Sequence, residues 1–94
     1  MSDVMTMFKL TIGDLTKGTE QDAYYQNFID QAKAYLLSED IDEDVLLTDL
    51  GAVALVAYAE AFMQKRDIAS DPTLLLLKNQ LSARTKGNRY DSKS

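Results

Sequence analysis

Residues 50–63 are apolar nearly all the way round when wound as a helix. At about 100° per residue, Leu50 and Val53 point one way, Leu55 and Phe62 the opposite way, and Val56 and Met63 to a third side. A helix that is apolar on every face has to be buried on every face. In a chain of 94 residues that is a heavy demand. It makes this segment the axis on which the rest must pack. The stretch is too short to cross a bilayer, which takes roughly 20 apolar residues, and Glu60 interrupts it. It therefore reads as a buried core helix.

At this length the chain makes one domain with a modest core. Cysteine and histidine are both absent. That excludes disulfides, thiolate nucleophiles and zinc–thiolate sites, and removes the usual neutral-pH base and the commonest metal ligand. Carboxylates, lysines and hydroxyls remain, in no convergent pair and no phosphate loop, so the expectation is a protein that is not an enzyme and binds no cofactor. No charged start followed by a long apolar run marks a secretory signal, which gives a cytoplasmic expectation.

Charge is polarised along the chain. Residues 1–33 carry three basic and five acidic side chains, residues 34–64 none and seven, and residues 65–94 seven and three. An acidic middle and a basic end suit either a solvated surface or an end-to-end assembly in which opposite charges meet.

The periodicities predict an all-α fold, a compact bundle of three main helices over about 19–37, 43–67 and 72–86 in a single domain, 1–86. Residues 1–7 are expected to be loose. Phe8, Leu10 and Ile12 alternate with Lys9 and Thr11, which predicts an extended or single-turn lead-in covering the bundle. Thr19-x-x-Asp22 resembles a capping box, and Tyr25, Phe28, Ile29, Ala32, Tyr35 and Leu36 then fall on one face. Residues 38–44 form an acidic connector. Its Asp40-x-Asp42-x-Asp44 spacing imitates a calcium loop, but Val45 and Gly51 stand where that loop needs its glycine and its bidentate glutamate. Lys65 and Arg66 are expected in the last turn of the second helix, suiting the negative end of its dipole. Asp71-Pro72 predicts a cap and first turn, and Leu74, Leu77 and Leu81 make the inward stripe of the third helix. Leu75 and Leu76 are left over, which favours a protein partner. Gly87 is a plausible stop, with 87–94 a flexible basic tail. Leu47-Thr48-Asp49-Leu50-Gly51 looks superficially like the carrier motif of acyl carrier proteins, but no serine follows to take the prosthetic group.

The layout resembles the small helical head–tail connector (adaptor) proteins of tailed phages and prophages. The resemblance covers residues 8–86 and rests on order and spacing. Leu10-x-Ile12 is followed by a polar loop with Asp22, then by Phe28-Ile29-x-x-Ala32-x-x-Tyr35-Leu36 and an acidic linker. An alanine-rich apolar helix ending in Arg66 and a proline-started leucine helix complete it. The chain has Met63 where relatives often carry an aromatic, and Ser38-Glu39-Asp40 where they often have a glycine.

The resemblance implies a structural protein of the virion, assembled in the bacterial host cytoplasm. It would form a homo-oligomeric ring on the portal protein, extend the DNA channel and carry the stopper or tail-completion protein. DNA would pass only as cargo, and no membrane is involved. On that reading Tyr24, Leu75, Leu76, Arg84, Lys86 and Arg89 are the candidate interface residues. Glu39, Asp40, Asp42, Glu43 and Asp44 are the candidates to face the channel, where their charge would repel passing DNA. The alternative is a small helical regulatory or nucleic-acid-binding module using the basic C-terminal region. The demand made by residues 50–63 favours assembly, because two thin neighbouring helices and a lead-in leave a face for an adjacent subunit to cover.

Overall fold

A computed structural model describes residues 4–14 and 20–91, with side chains as far as Gly87. All regular elements among these residues are helices: α1 (Val4–Ile12), α2 (Asp22–Ser38), α3 (Glu43–Leu46), α4 (Asp49–Met63) and α5 (Pro72–Asp91). The all-α expectation holds. Of the three expected helices, the second is broken and ends early, and the third starts at Pro72 as expected but runs longer.

The first difference is at the start, where α1 replaces the loose residues and the extended lead-in. Val4, Phe8 and Ile12 recur every fourth residue, a helical spacing that the short alternation at 8–12 disguised. Phe8 is fully buried and meets Tyr25 edge-on at 5.4 Å, while Val4, Met5, Met7 and Ile12 pack partly against the core. Leu10 points outward, 62% exposed. Gly13, at φ 82°, ends the helix: its N–H bonds Leu10 O and the Asp14 N–H bonds Lys9 O. This is the paired bonding of a Schellman stop.

Helix α2 opens at Asp22, with no side-chain cap from Gln21. The expected capping residue, Thr19, lies outside the described residues. Asp22 instead forms an ion pair with Lys9, tying α2 to α1. Its buried stripe is Tyr25, Ile29, Ala32 and Leu36. Asp40, at φ 66°, ends α2 with the same paired bonds, Asp40 N–H to Leu37 O and Ile41 N–H to Leu36 O. Leu36 and Ile41 are both buried, the apolar contact that accompanies such a stop.

The expected second helix is broken in two. Helix α3 lasts one turn, and Thr48 then leaves helical geometry to cap α4, its Oγ1 accepting from the Gly51 N–H at 3.1 Å. Asp49 in the first turn adds a carboxylate at the positive end of the dipole. Helix α4 stops at Met63, before the expected Asp67. Lys65 adopts φ 57°, with its N–H on Phe62 O and the Arg66 N–H on Ala61 O. Lys65 and Arg66 are thus past the helix rather than in its last turn. Arg66 reaches Asp71 at 3.0 Å and Glu60 at 3.4 Å, fastening the loop to both flanking helices.

Asp71 caps α5 as its sequence predicts, its Oδ1 accepting from the N–H groups of Thr73 and Leu74. The helix then runs through Gly87 to Asp91, so residues 87–91 are not a loose tail. Leu74 and Leu81 of the expected stripe are buried, and one turn beyond it Thr85 is buried too, its hydroxyl accepting the Asp42 N–H at 3.1 Å. That seat against the start of α3 carries the helix past its glycine, which lacks a positive φ and has open space around it.

Helix α4 packs against α2, α1, α3 and α5. The Cα trace extends 47 by 30 by 17 Å. With helix axes about 8–10 Å apart, the 17 Å dimension holds two layers of helices and not three. A helix in a two-layer domain has one side without a neighbour. On α4 that side carries Val53, 45% exposed, between the half-buried Leu50 and Ala57.

Candidate functional site

The described residues bring no catalytic constellation together. No group of three carboxylates among them could hold a metal ion, and no described helix is long and apolar enough to cross a membrane. The features that stand out are large apolar side chains left at the surface: Leu10, Tyr24, Leu37, Leu47, Val53, Leu75 and Leu76.

Leu47 marks one place among them, and Leu75 with Leu76 marks a second. The first lies around the start of α4. Leu47, in the α3–α4 corner, is 75% exposed, because the residue that closes α3 directly before the Thr48 cap has no helix packed over it. Beside it opens a cleft of about 430 Å³ lined by Val4, Leu46, Leu47, Thr48, Asp49, Ala52 and Leu55. Val53, one turn into α4, stands about 160° round the helix from the cleft-lining Leu55. The cleft's charged neighbours are acidic: Asp44 and Asp49 are exposed on either side of Leu47, and no basic residue occurs between 34 and 64.

The second place is the outer face of α5. Leu76 stands about 200° round the helix from the buried Leu74, so it points away from the bundle and is 58% exposed. Leu75, Asn79, Ser82 and Lys86 follow one another at helical spacing along the adjoining side. Arg84 and Lys86 are exposed and make no ion pair among the described residues. The side chain of Arg89 lies outside the described residues.

Tyr24 is exposed on α2, edge-on to Phe28 at 5.1 Å and tilted against Tyr25 at 5.8 Å, apart from both places. The structure therefore separates it from Leu75 and Leu76, with which the sequence had grouped it.

The acidic connector is less bare than its composition suggests. Glu39 accepts from Lys78 at 3.0 Å and from the Tyr35 hydroxyl at 3.2 Å. The Lys78 hydrogen bond holds the Glu39 carboxyl below its ordinary pKa and lifts that of Lys78. Glu43 pairs with Lys33 at 3.2 Å. Asp40 serves as the left-handed stop of α2, and Asp42 gives its backbone N–H to Thr85. Of the five carboxylates, Asp44 is the one exposed acid with neither a lysine bridge nor one of these backbone duties.

Among the described side chains, the bases of α5 make no stripe for a phosphate backbone. Lys78 is committed to Glu39, and Arg84 and Lys86 stand about 200° apart round the helix.

Sequence reasoning missed Leu47. Its signal was present in the Thr48-x-x-Gly51 cap, which ends one helix and starts another and leaves the preceding residue at a corner. Compared with known proteins, the chain matches no family model, no curated protein and no solved structure.

Proposed function

We propose that the chain is a non-enzymatic assembly subunit, a head–tail connector that forms a ring on a phage portal vertex, extends the DNA channel and receives the stopper or tail. The observation that carries this reading is the set of large apolar side chains left uncovered on one small two-layer domain: Leu47 at the α3–α4 corner, Val53 on α4, and Leu75 and Leu76 on the outer face of α5. Monomeric proteins seldom leave several large apolar side chains grouped at the surface unless a partner covers them. A subunit built into a ring has such a partner on each side. The helix order and spacing that resemble the connector family supply the rest of the reading. Asp44 is the best candidate to face passing DNA, since like charge keeps the duplex from adhering. The site of action is then the virion, with assembly in the host cytoplasm.

The test is to mix the chain with the portal protein encoded nearest its gene and to view the complex by electron microscopy. Ring-shaped density added to the portal is the expected result. A portal unchanged at saturating chain concentration would overturn the reading.

A further inference from the structure

We infer that α3 is a switch segment held in its helical form by α5, so that unwinding the end of α5 unfolds α3 and opens the α3–α4 corner while α4 stays packed. The inference concerns the fold alone and does not rest on the connector reading.

Three observations lead to it. The first is the size of α3. A single helical turn has too few internal bonds to repay its nucleation, so it persists only where its neighbours hold it. Helix α3 packs against both α4 and α5. Its capping residue, Asp42, makes no side-chain cap bond, and the Asp42 N–H is instead taken up by the Thr85 hydroxyl of α5.

The second is how lightly the end of α5 is fixed. Its first half is fastened by the Asp71 cap, by the Tyr58 hydroxyl on Leu74 O, by the Lys78–Glu39 bridge and by Leu81, which is fully buried. Among residues 82–87 the one buried side chain is Thr85. Gly87 follows, the poorest helix former after proline. One threonine is thus both the last anchor of α5 in that stretch and the partner that satisfies the start of α3. Segments with so few buried contacts are the ones that open below the free energy of global unfolding.

The third is where α3 leads. Before it, Asp40 at φ 66° turns the chain out of helical geometry, a point where a hinge can act. After it, the Thr48 hydroxyl donates to Val45 O at 2.6 Å and accepts from the Gly51 N–H, which ties α3 to the first turn of α4. Leu46 and Leu47 line the cleft at this corner, so the cleft keeps its shape only while α3 is formed. Val45 and Leu46 are buried in the closed form, which therefore dominates. Helix α4 is packed by α1 and α2 as well, contacts that the opening leaves in place.

Backbone amide exchange of the whole chain, followed by NMR, reads the opening. The amides of Val45, Leu46 and Leu47 and those of residues 83–86 are expected to share one protection factor, at least about tenfold below that of residues 54–59 inside α4. Thr85→Val removes the acceptor for the Asp42 N–H and should lower protection in both sets about fivefold or more; Thr85→Ser should restore it. Gly87→Ala places a Cβ that meets nothing within 4 Å, yet it strengthens the end of α5. It should raise protection in α3 by about twofold to fivefold. Should Thr85→Val fail to fold, Gly87→Ala decides alone.

Amides of α3 as protected as the interior of α4 would overturn the inference, because α3 would then open only with the whole domain. Protection in α3 unmoved by Thr85→Val, or unmoved by Gly87→Ala, would overturn it too, by showing that α4 alone holds α3 in place.

Discussion

Tyr58 shows how much one side chain can carry in a small core. Its ring is buried between Tyr35, at 5.4 Å, and the start of α5, and its hydroxyl gives Leu74 O a partner. Burial pushes its pKa from 10.0 up to about 12, because the phenolate would have to form away from water. The sign follows from linkage. Below pH 10 both folded and unfolded chains keep the proton, so the contribution is fully present. From there to about 12 the unfolded chain ionises first, and stability falls as pH rises. Tyr58→Phe is expected to cost about 1 kcal/mol at pH 7 through the lost hydrogen bond. It should also flatten the decline in urea midpoint across that alkaline window. An unchanged slope would mean that the other tyrosines account for the decline. The apolar nature of this position was legible from the helical spacing. Its hydroxyl partner was not, since Leu74 O lies 16 residues away and is brought near by packing.

At the scale of the element, the helix ends decide the architecture. Three helices stop with the same paired bonds, at Gly13, Asp40 and Lys65, and at two of these no glycine marks the stop. Conversely Gly51 and Gly87 both lie inside helices. Gly51 is there for space: a Cβ would meet the Leu46 backbone where α3 turns into α4. Gly51→Ala should therefore destabilise the fold by about 1–3 kcal/mol, although alanine is the better helix former by about 1 kcal/mol. A denaturant midpoint at or above that of the wild type would show that the corner can relax. Helix α1 makes a second test. With Phe8 fully buried, Phe8→Ala should cost roughly 3–5 kcal/mol in equilibrium unfolding. A cost below about 1 kcal/mol would return the segment to the role of a loose cover. The sequence misled at α1 because three alternating residues imitate a strand, and the helical spacing shows only when Val4 is included.

For the whole molecule the relevant quantity is thickness. Two layers cannot close round a helix that is apolar on every side, and the uncovered remainder is the surface on which assembly is proposed. The charge polarity along the chain carries a further prediction. If acid meets base between copies, raising ionic strength from about 0.05 to about 0.5 M should weaken self-association several-fold, as the Debye length contracts toward a few ångströms. Association that strengthens with salt would assign the contact to apolar burial alone. The internal bridges Lys78–Glu39 and Lys33–Glu43 are exposed enough that the same salt should shift thermal stability little.

What the sequence determined by itself was local. It specified helices, from periodicity and from the Asp71-Pro72 cap. It specified the inward stripes of α2 and α5, and it marked Leu75 and Leu76 as surplus. These depend on neighbours three or four residues apart, which a linear reading sees directly. The tertiary structure decided where helices break and which apolar face stays open. Thr48 acts as a cap because α3 turns there against α4. Helix α5 outlasts Gly87 because Thr85 finds the Asp42 N–H, 43 residues away. Val53 rather than Leu55 or Val56 is left to solvent because four other helices pack on the remaining sides of α4. Composition made every face of that helix eligible for burial, and contacts distant along the chain chose among them.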